Sequence, residues 1–261
     1  MQCNHLCRLY KSAKMSEPQT LTTDGFLSQK NRREWTSISG TRIVKVLGGR
    51  SNVFLIFCDQ QNILIDTGPG FMSKRLLRRL EKLKIKTIDY LILTHSHFDH
   101  AANAALIKEK FSVRIVIHQS EAEYLLSGDS PMPAGTNTFS AWLVRNFSQK
   151  LVKTVRYKSC QADILVNDSL NLSSTGINIV NTPGHTIGSL SIIVDQEIAI
   201  VGDTLFGIFP GSCFPPFADD ASTLIKSWEK LINTGCRLFL PSHGWGRTSA
   251  ELAKDLKLKK A

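Results

Sequence analysis

The segment Thr94-His95-Ser96-His97-Phe98-Asp99-His100 constrains this chain more than any other stretch. It places His95, His97, Asp99 and His100, four groups able to ligate a metal, within six residues directly after the apolar run Tyr90 to Leu93. Alternation along a strand would send such side chains to opposite faces, so convergence requires the strand to end there and the backbone to turn. Imidazole and carboxylate are the usual ligands of catalytic zinc, and a set this dense can divide between two ions.

Three further segments repeat the arrangement: Thr182-Pro183-Gly184-His185-Thr186, Gly202-Asp203-Thr204-Leu205-Phe206 and Pro241-Ser242-His243-Gly244. Each follows an apolar strand. Five of the seven histidines therefore stand at strand ends, in small-residue turns that allow close approach to a ligand. A core-histidine explanation serves one such site but not all of them together. His118 lies outside these segments and reads as structural. Arg247, close after His243, reads equally as a contact for a substrate anion and as a surface cap.

The elements between these turns alternate. Ile43 to Val46, Ser51 to Cys58 and Gln61 to Asp66 read as strands, with Asp59-Gln60 as a hairpin turn. Residues 71–88 carry Lys74, Arg75, Arg78, Arg79, Lys82, Lys84 and Lys86 against Glu81, with Leu76, Leu77, Leu80 and Leu83 at helical spacing. That is an amphipathic helix with a basic, solvated outer face. A strand at Tyr90 to Leu93, a helix from about Asn103 and a strand at Arg114 to Ile117 complete a βαβ order. Gly128 to Lys153 breaks into a long loop or lid carrying Phe139, Trp142 and Phe147, expected to border the substrate. Strands at Ile164 to Val166, Asn178 to Asn181, Ser189 to Val194 and Glu197 to Val201 follow, then a helix at Ala221 to Ile232, a strand at Leu238 to Leu240 and a final helix after Thr248. Ser51 to Gly68 echoes Ser189 to Thr204, each a strand, an Asp-Gln turn, a strand and Asp-Thr. The echo suggests two similar halves packed face to face, with a ligand site where their strand ends meet.

At 261 residues the chain fits one large α/β domain, here residues 41–261 after a polar lead-in over 1–40. No apolar run approaches the ~20 residues of a membrane span. Residues 1–14 are basic and acid-free without the apolar stretch expected behind a secretory signal, so a disordered tail or an organelle transit segment is expected. A cytoplasmic location is expected, with the mitochondrion or another organelle as the alternative. The six cysteines form no CxxC pair and read as reduced thiols; Cys3 and Cys7 with His5 lack fixed geometry for a metal. The net charge of +10 favours anionic partners without specifying one.

With His95, His97, Asp99 and His100 in an HxHxDH pattern, the chain from about Ile43 to Gly244 resembles the metallo-β-lactamase fold superfamily. The resemblance implies a four-layer αβ/βα sandwich with metals at one edge. It implies that His95, His97 and His185 hold a first ion, that Asp99, His100 and His243 hold a second, and that Asp203 bridges them. Two zinc ions are implied, with iron or manganese as alternatives. Asp66 resembles the family's aspartate that orients ligands; a plain turn-forming Asp is the competing reading. Two such ions hold a bridging hydroxide, since coordination lowers the pKa of water towards ~7, and Asp99 is implied to shuttle a proton as well as bind.

The same metal set serves many substrates. The TPGHT and GDTLF runs resemble hydroxyacylglutathione hydrolases (glyoxalase II) and their short relatives, which implies a small-molecule thioester, ester or lactone, an anionic one included. Glyoxalase II continues into a helical domain that grips glutathione, whereas 18 residues follow His243 here, so glutathione specificity is not implied. A mononuclear iron sulfur dioxygenase of the same fold is the rival from another class, and an RNA-processing nuclease the third reading. Nucleic acid is not expected as a partner, because those nucleases add a binding domain this length does not house.

Overall fold

Strand alternation sorts the apolar residues of this chain into layers. The computed structural model describes residues 32–58, 61–138, 140, 142, 145–146, 156–172 and 175–260. Its first sheet runs in the order β1 (Glu34–Thr36), β2 (Arg42–Leu47), β3 (Val53–Cys58), β4 (Gln61–Ile65), β5 (Tyr90–Ile92), β6 (Arg114–His118), β7 (Ile164–Val166). β1 to β4 are antiparallel neighbours, and β4 to β7 are parallel. The second sheet comprises β8 (Ser169–Leu172), β9 (Ile177–Asn181), β10 (Leu190–Val194), β11 (Ile198–Gly202), β12 (Leu238–Pro241) and β13 (Arg247–Thr248), in the order β13-β12-β11-β10-β9-β8. Only β11 and β12 are parallel in it.

Along β3 and β4, Phe54, Ile56, Ile63 and Ile65 point to one side and meet Ile177, Ile179, Ile192 and Ile200 of the second sheet. Val53, Leu55 and Leu64 point to the other side, under Leu76 and Leu80 of α1 (Ser73–Lys82). The short α2 (Phe98–Ala101), then α3 (Ala104–Phe111) and α4 (Ala122–Ser127), cover the same face through Ala101, Ile107 and Leu125. On the far side, Ala199, Val201 and Phe239 lie under Trp228 and Leu231 of α5 (Ala221–Asn233) and Leu252 of α6 (Ser249–Lys260). Both faces of both sheets are thus covered, which is why these strands read as continuous apolar runs. At roughly 1.5–3 kcal/mol for each fully buried large aliphatic side chain, this burial is the dominant favourable term. The result is a four-layer αβ/βα sandwich.

The sheet reaches back into the segment expected to be lead-in. β1 pairs with β2, and Trp35, only 3% exposed, packs edge-on against Phe54 at 6.0 Å. One buried aromatic between two exposed residues is too short a pattern to announce a strand. The basic helix is shorter than its Leu spacing suggested, ending at Lys82 before Lys84 takes a left-handed φ of 57°. Lys74, Arg75, Arg78 and Lys82 are exposed, as expected of a solvated face. Asp195 and Gln196 are both left-handed, at φ of 51° and 54°, as the favoured two-residue hairpin turn requires. Asp59-Gln60, Phe139, Phe147 and the cysteines and basic residues of the first 14 positions lie outside the described residues. Among the described residues no helix is long and apolar enough to cross a membrane.

Candidate metal centre

The strand ends anticipated from sequence meet at one edge of the sandwich. Asp66 follows β4, His95 to His100 follow β5, His185 follows β9, Asp203 follows β11 and His243 follows β12. The two sheets touch here: Leu190 N–H donates to Thr94 O at 2.8 Å, and Asn52 N–H to Ser242 O at 2.6 Å. Gly202, at φ of 53°, makes the approach possible, because a Cβ there would stand 2.8 Å from Thr94 Cβ.

Seven side chains converge. His97 Nδ1 lies 2.9 Å from His95 Nε2 and 3.1 Å from His185 Nε2. Asp203 Oδ1 lies 3.5 Å from His100 Nε2, while its Oδ2 lies 3.6 Å from His185 Nε2 and 3.2 Å from His243 Nε2. Asp99 Oδ2 is 3.3 Å from His243 Nε2, and Asp99 Oδ1 is 3.6 Å from His100 Nε2. His95, His97 and His185 form one set, His95, His100 and Asp203 a second, and Asp99, His100 and His243 a third, the ligand atoms within each set lying within 4.8 Å of one another.

The hydrogen bonds behind the rings fix which atoms face inward. Asp66 takes His100 Nδ1 at 2.8 Å, so His100 presents Nε2 to the cluster. Thr94 N–H and Oγ1–H donate to the same carboxylate. With its proton so committed, Thr94 Oγ1 accepts from His95 Nδ1 at 3.1 Å. His185 Nδ1 donates to Phe217 O at 2.8 Å. Ring nitrogens and carboxylate oxygens therefore face a common space, and among the described residues His100 Nε2 and Asp203 Oδ1 are buried without any hydrogen bond. Imidazole nitrogens and carboxylate oxygens gathered in this way suit a cation, so the residues present fit a metal site.

The electrostatics agree. Burial first, and then the neighbouring His100 and His97 rings, hold His95 well below the ordinary imidazole range; burial and His185 bring His97 down to about 3. Both rings are neutral at physiological pH, the form able to bind a metal. At His100 burial acts downward, yet Asp203, Asp99 and Asp66 together carry it well above its ordinary value, and at His243 the same contest against Asp203 and Asp99 ends at about 10. Burial would raise Asp99, but His100 and His243 bring it to about 2; Asp203 is held well below the carboxylate range by His243 and His100. Both carboxylates are anionic, and the positive charge they draw onto His100 and His243 is charge that a metal supplies equally.

A cleft of about 530 Å³ opens over His97, Asp99, His185, Asp203 and His243. Phe71, Phe98, Phe206, Ile208 and Phe217 line it with Met132 and Pro133, and Arg50 lies at its edge. The loop after α4 thus borders the cleft through Met132 and Pro133 and is tied to the opposite wall by Thr136 N–H donating to Pro216 O at 3.0 Å. Trp142 does not line it. His118 is structural: its Nδ1 accepts from Ser120 N–H. Arg247 fits neither expectation, since it is 1% exposed and braces the neighbouring loop by donating to Phe209 O and Ser212 O beside its pair with Glu251.

Glu121 was not anticipated. It is 1% exposed, and its Oε2 accepts from both Ser96 N–H and Ser96 Oγ–H, fastening the residue between His95 and His97. Tyr157 OH donates to Ser96 O at 2.6 Å from the other side.

The comparisons accord with this geometry. The description "Metallo-beta-lactamase superfamily" matches residues 46–243. A probable metallo-hydrolase of Methanocaldococcus jannaschii is 35% identical over 200 residues, covering 76% of this chain and 89% of the relative. A hydroxyacylglutathione hydrolase of Brucella ovis is 25% identical over 147 residues, 56% of this chain but only 44% of its own length. An archaeal metallo-beta-lactamase superfamily protein from Sulfolobus tokodaii shares the fold with a TM-score of 0.60 at 18% identity, over 84% of this chain and 86% of that one. A matched segment that runs from β2 to the last histidine of the cluster leaves no doubt of kinship: the chain belongs to the metallo-beta-lactamase superfamily.

Proposed function

We propose that this chain is a dinuclear metallohydrolase acting on a small-molecule thioester, ester or lactone, with zinc as the resident metal. The observation that carries the reading is Asp203, whose Oδ1 faces His100 while its Oδ2 faces His185 and His243. A carboxylate within reach of His185 of one ligand set and of His100 and His243 of the other supports a shared ligand. In this reading His95, His97 and His185 hold one ion, Asp99, His100 and His243 hold the other, and Asp203 joins them. Bound there, the metals would supply a water ionised near neutral pH and Lewis-acid polarisation of the scissile oxygen.

The chain's own groups do the rest. Asp66, Thr94 and Phe217 O hold the ligand rings in one tautomer and orientation. Asp99 has a side chain 20% exposed against 5% for Asp203, so it is the carboxylate open to the cleft. It is in position to take a proton from the attacking water and return it to the leaving group. Phe71, Phe98 and Ile208 give the acyl portion an apolar wall. The Brucella relative is a hydroxyacylglutathione hydrolase, which brings an acyl-thiol substrate to this chain as an expectation.

The test is metal analysis of protein purified without added metal, together with assays on N-acetylcysteamine thioesters, p-nitrophenyl esters, lactones and glutathione persulfide. Two metal equivalents and hydrolysis of at least one ester class are expected. A single iron, oxygen uptake with the persulfide and no hydrolysis would replace this reading with the sulfur dioxygenase one.

A further inference from the structure

We propose that Arg50 is an anion-recognising residue of the cleft, and that the substrate carries a carboxylate separated from its scissile carbonyl by a short apolar stretch. The proposal deepens the hydrolase reading and rests on it for the reaction, though not for the binding of the anion.

Arg50 lines the same cleft as His97, Asp99 and His243, and no other Lys or Arg is among the described residues that do so. It is exposed, and among the described residues it makes no hydrogen bond or ion pair. Arg42, Arg237 and Arg247, by contrast, are each committed to a carboxylate. The turn that carries Arg50 is nevertheless fixed. Ser51 and Asn52, directly after it, are buried. Asn52 N–H donates to Ser242 O at 2.6 Å, and Asn52 Nδ2 to Pro241 O at 2.9 Å and Gly244 O at 2.8 Å. These three bonds fasten the Arg50 turn across the two sheets to the backbone on both sides of His243. The backbone that carries Arg50 is thereby held beside the candidate metal centre, with the guanidinium donors uncommitted.

The surroundings define the ligand. A guanidinium presents paired N–H donors that match a carboxylate bidentately. The cleft that Arg50 shares with the cluster is also lined by Pro69, Phe71, Phe98 and Met132, which suit methylenes and add no charge. The fitting class is therefore a thioester or ester with one free carboxylate, on either the acyl or the leaving side.

Two independent readouts test this. Hydrolysis is compared for glutaryl-N-acetylcysteamine, for the valeryl thioester of mercaptopropionate, and for neutral valeryl-N-acetylcysteamine. Wild type is expected to prefer at least one anionic thioester, and Arg50→Gln to lower the anionic-to-neutral ratio of kcat/KM about 10- to 100-fold. Arg50→Glu should turn the preference towards a thioester ending in trimethylammonium. No preference for either anionic substrate, or a ratio unmoved by both variants, overturns the proposal. Glutarate binding by calorimetry should weaken about 10-fold or more in Arg50→Gln; equal affinity in wild type and variant overturns the anion site. If wild type hydrolyses no thioester, ester or lactone, the hydrolase reading falls while the glutarate measurement still decides Arg50.

Discussion

Asp66 Oδ2 stands 2.8 Å from His100 Nδ1, and Asp66 holds that position at a left-handed φ of 59°. A non-glycine residue in this region costs on the order of 1–3 kcal/mol unless its surroundings compensate. Here Thr94 N–H, Thr94 Oγ1–H, His100 Nδ1–H and Ser242 Oγ–H all converge on its two oxygens. The turn-forming and ligand-orienting readings of Asp66 are thus one arrangement, in which the strained turn aims the carboxylate at the ring. Asp66→Asn keeps the shape but replaces one acceptor with a donor. Metal affinity, measured by competition with a chelator, is expected to fall about 10- to 100-fold. An unchanged affinity would mean that His100 needs no support.

Asp203 separates a two-metal from a one-metal centre. Asp203→Asn removes a negative charge, and an amide oxygen bridges two cations poorly. Metal stoichiometry is expected to fall towards one per chain, with hydrolysis falling in parallel. A variant that retains both ions and full turnover would show that Asp203 is not shared.

How much of this was legible beforehand follows from distance along the chain. His95, His97, Asp99 and His100 announced themselves as candidates because a strand, its end and four groups able to ligate a metal fall within one short segment. His185, Asp203 and His243 were legible as the same pattern of apolar strand and small-residue turn. β1 was not, because Trp35 alone faces the core in a three-residue strand. Glu121 was not, because its partner Ser96 is 25 residues away and neither residue belongs to a periodic pattern. Arg50 gave no signal either, since its place at the cleft depends on Asn52 reaching backbone about 190 residues downstream. Local chemistry is written locally; what braces it is written only in the packing.

Glu121 is expected to act as such a brace. Removing its carboxylate leaves Ser96 N–H and Oγ buried without that acceptor, which costs about 1–3 kcal/mol. Glu121→Ala should lose stability of this order in urea unfolding of metal-free protein, and Glu121→Gln less, because an amide still accepts one bond. Gly188 sits so close that a Cβ there would stand 2.4 Å from Glu121 Cγ. Gly188→Ala should therefore disturb the same turn from the His185 side. Full stability in both Glu121→Ala and Gly188→Ala would show that the contact is incidental.

The buried thiols set an alkaline limit. Cys58, Cys160, Cys213 and Cys236 are buried and free. Burial pushes Cys213 up to about 12, against the pull of Arg247, and also raises Cys160 and Cys236. A folded-state pKa above the unfolded value of about 8.5 means that the native state favours the neutral thiol. The contribution is complete below about 8.5, where both states are protonated, and is lost as pH rises from there towards about 12, where the unfolded chain ionises and the folded one does not. Urea midpoints should therefore decline between pH 8 and 10.5, for which Tyr157, also raised by burial, acts with the same sign. Cys213→Ala isolates one share: whatever the cavity costs at neutral pH, the variant's midpoint should fall less steeply across this range than the wild type's. At pH 8 a thiol reagent should leave Cys58, Cys160, Cys213 and Cys236 unlabelled in native protein, all four reacting on unfolding. Parallel pH profiles for wild type and Cys213→Ala, or rapid labelling of Cys213 in the native state, would contradict a buried neutral thiol at this position.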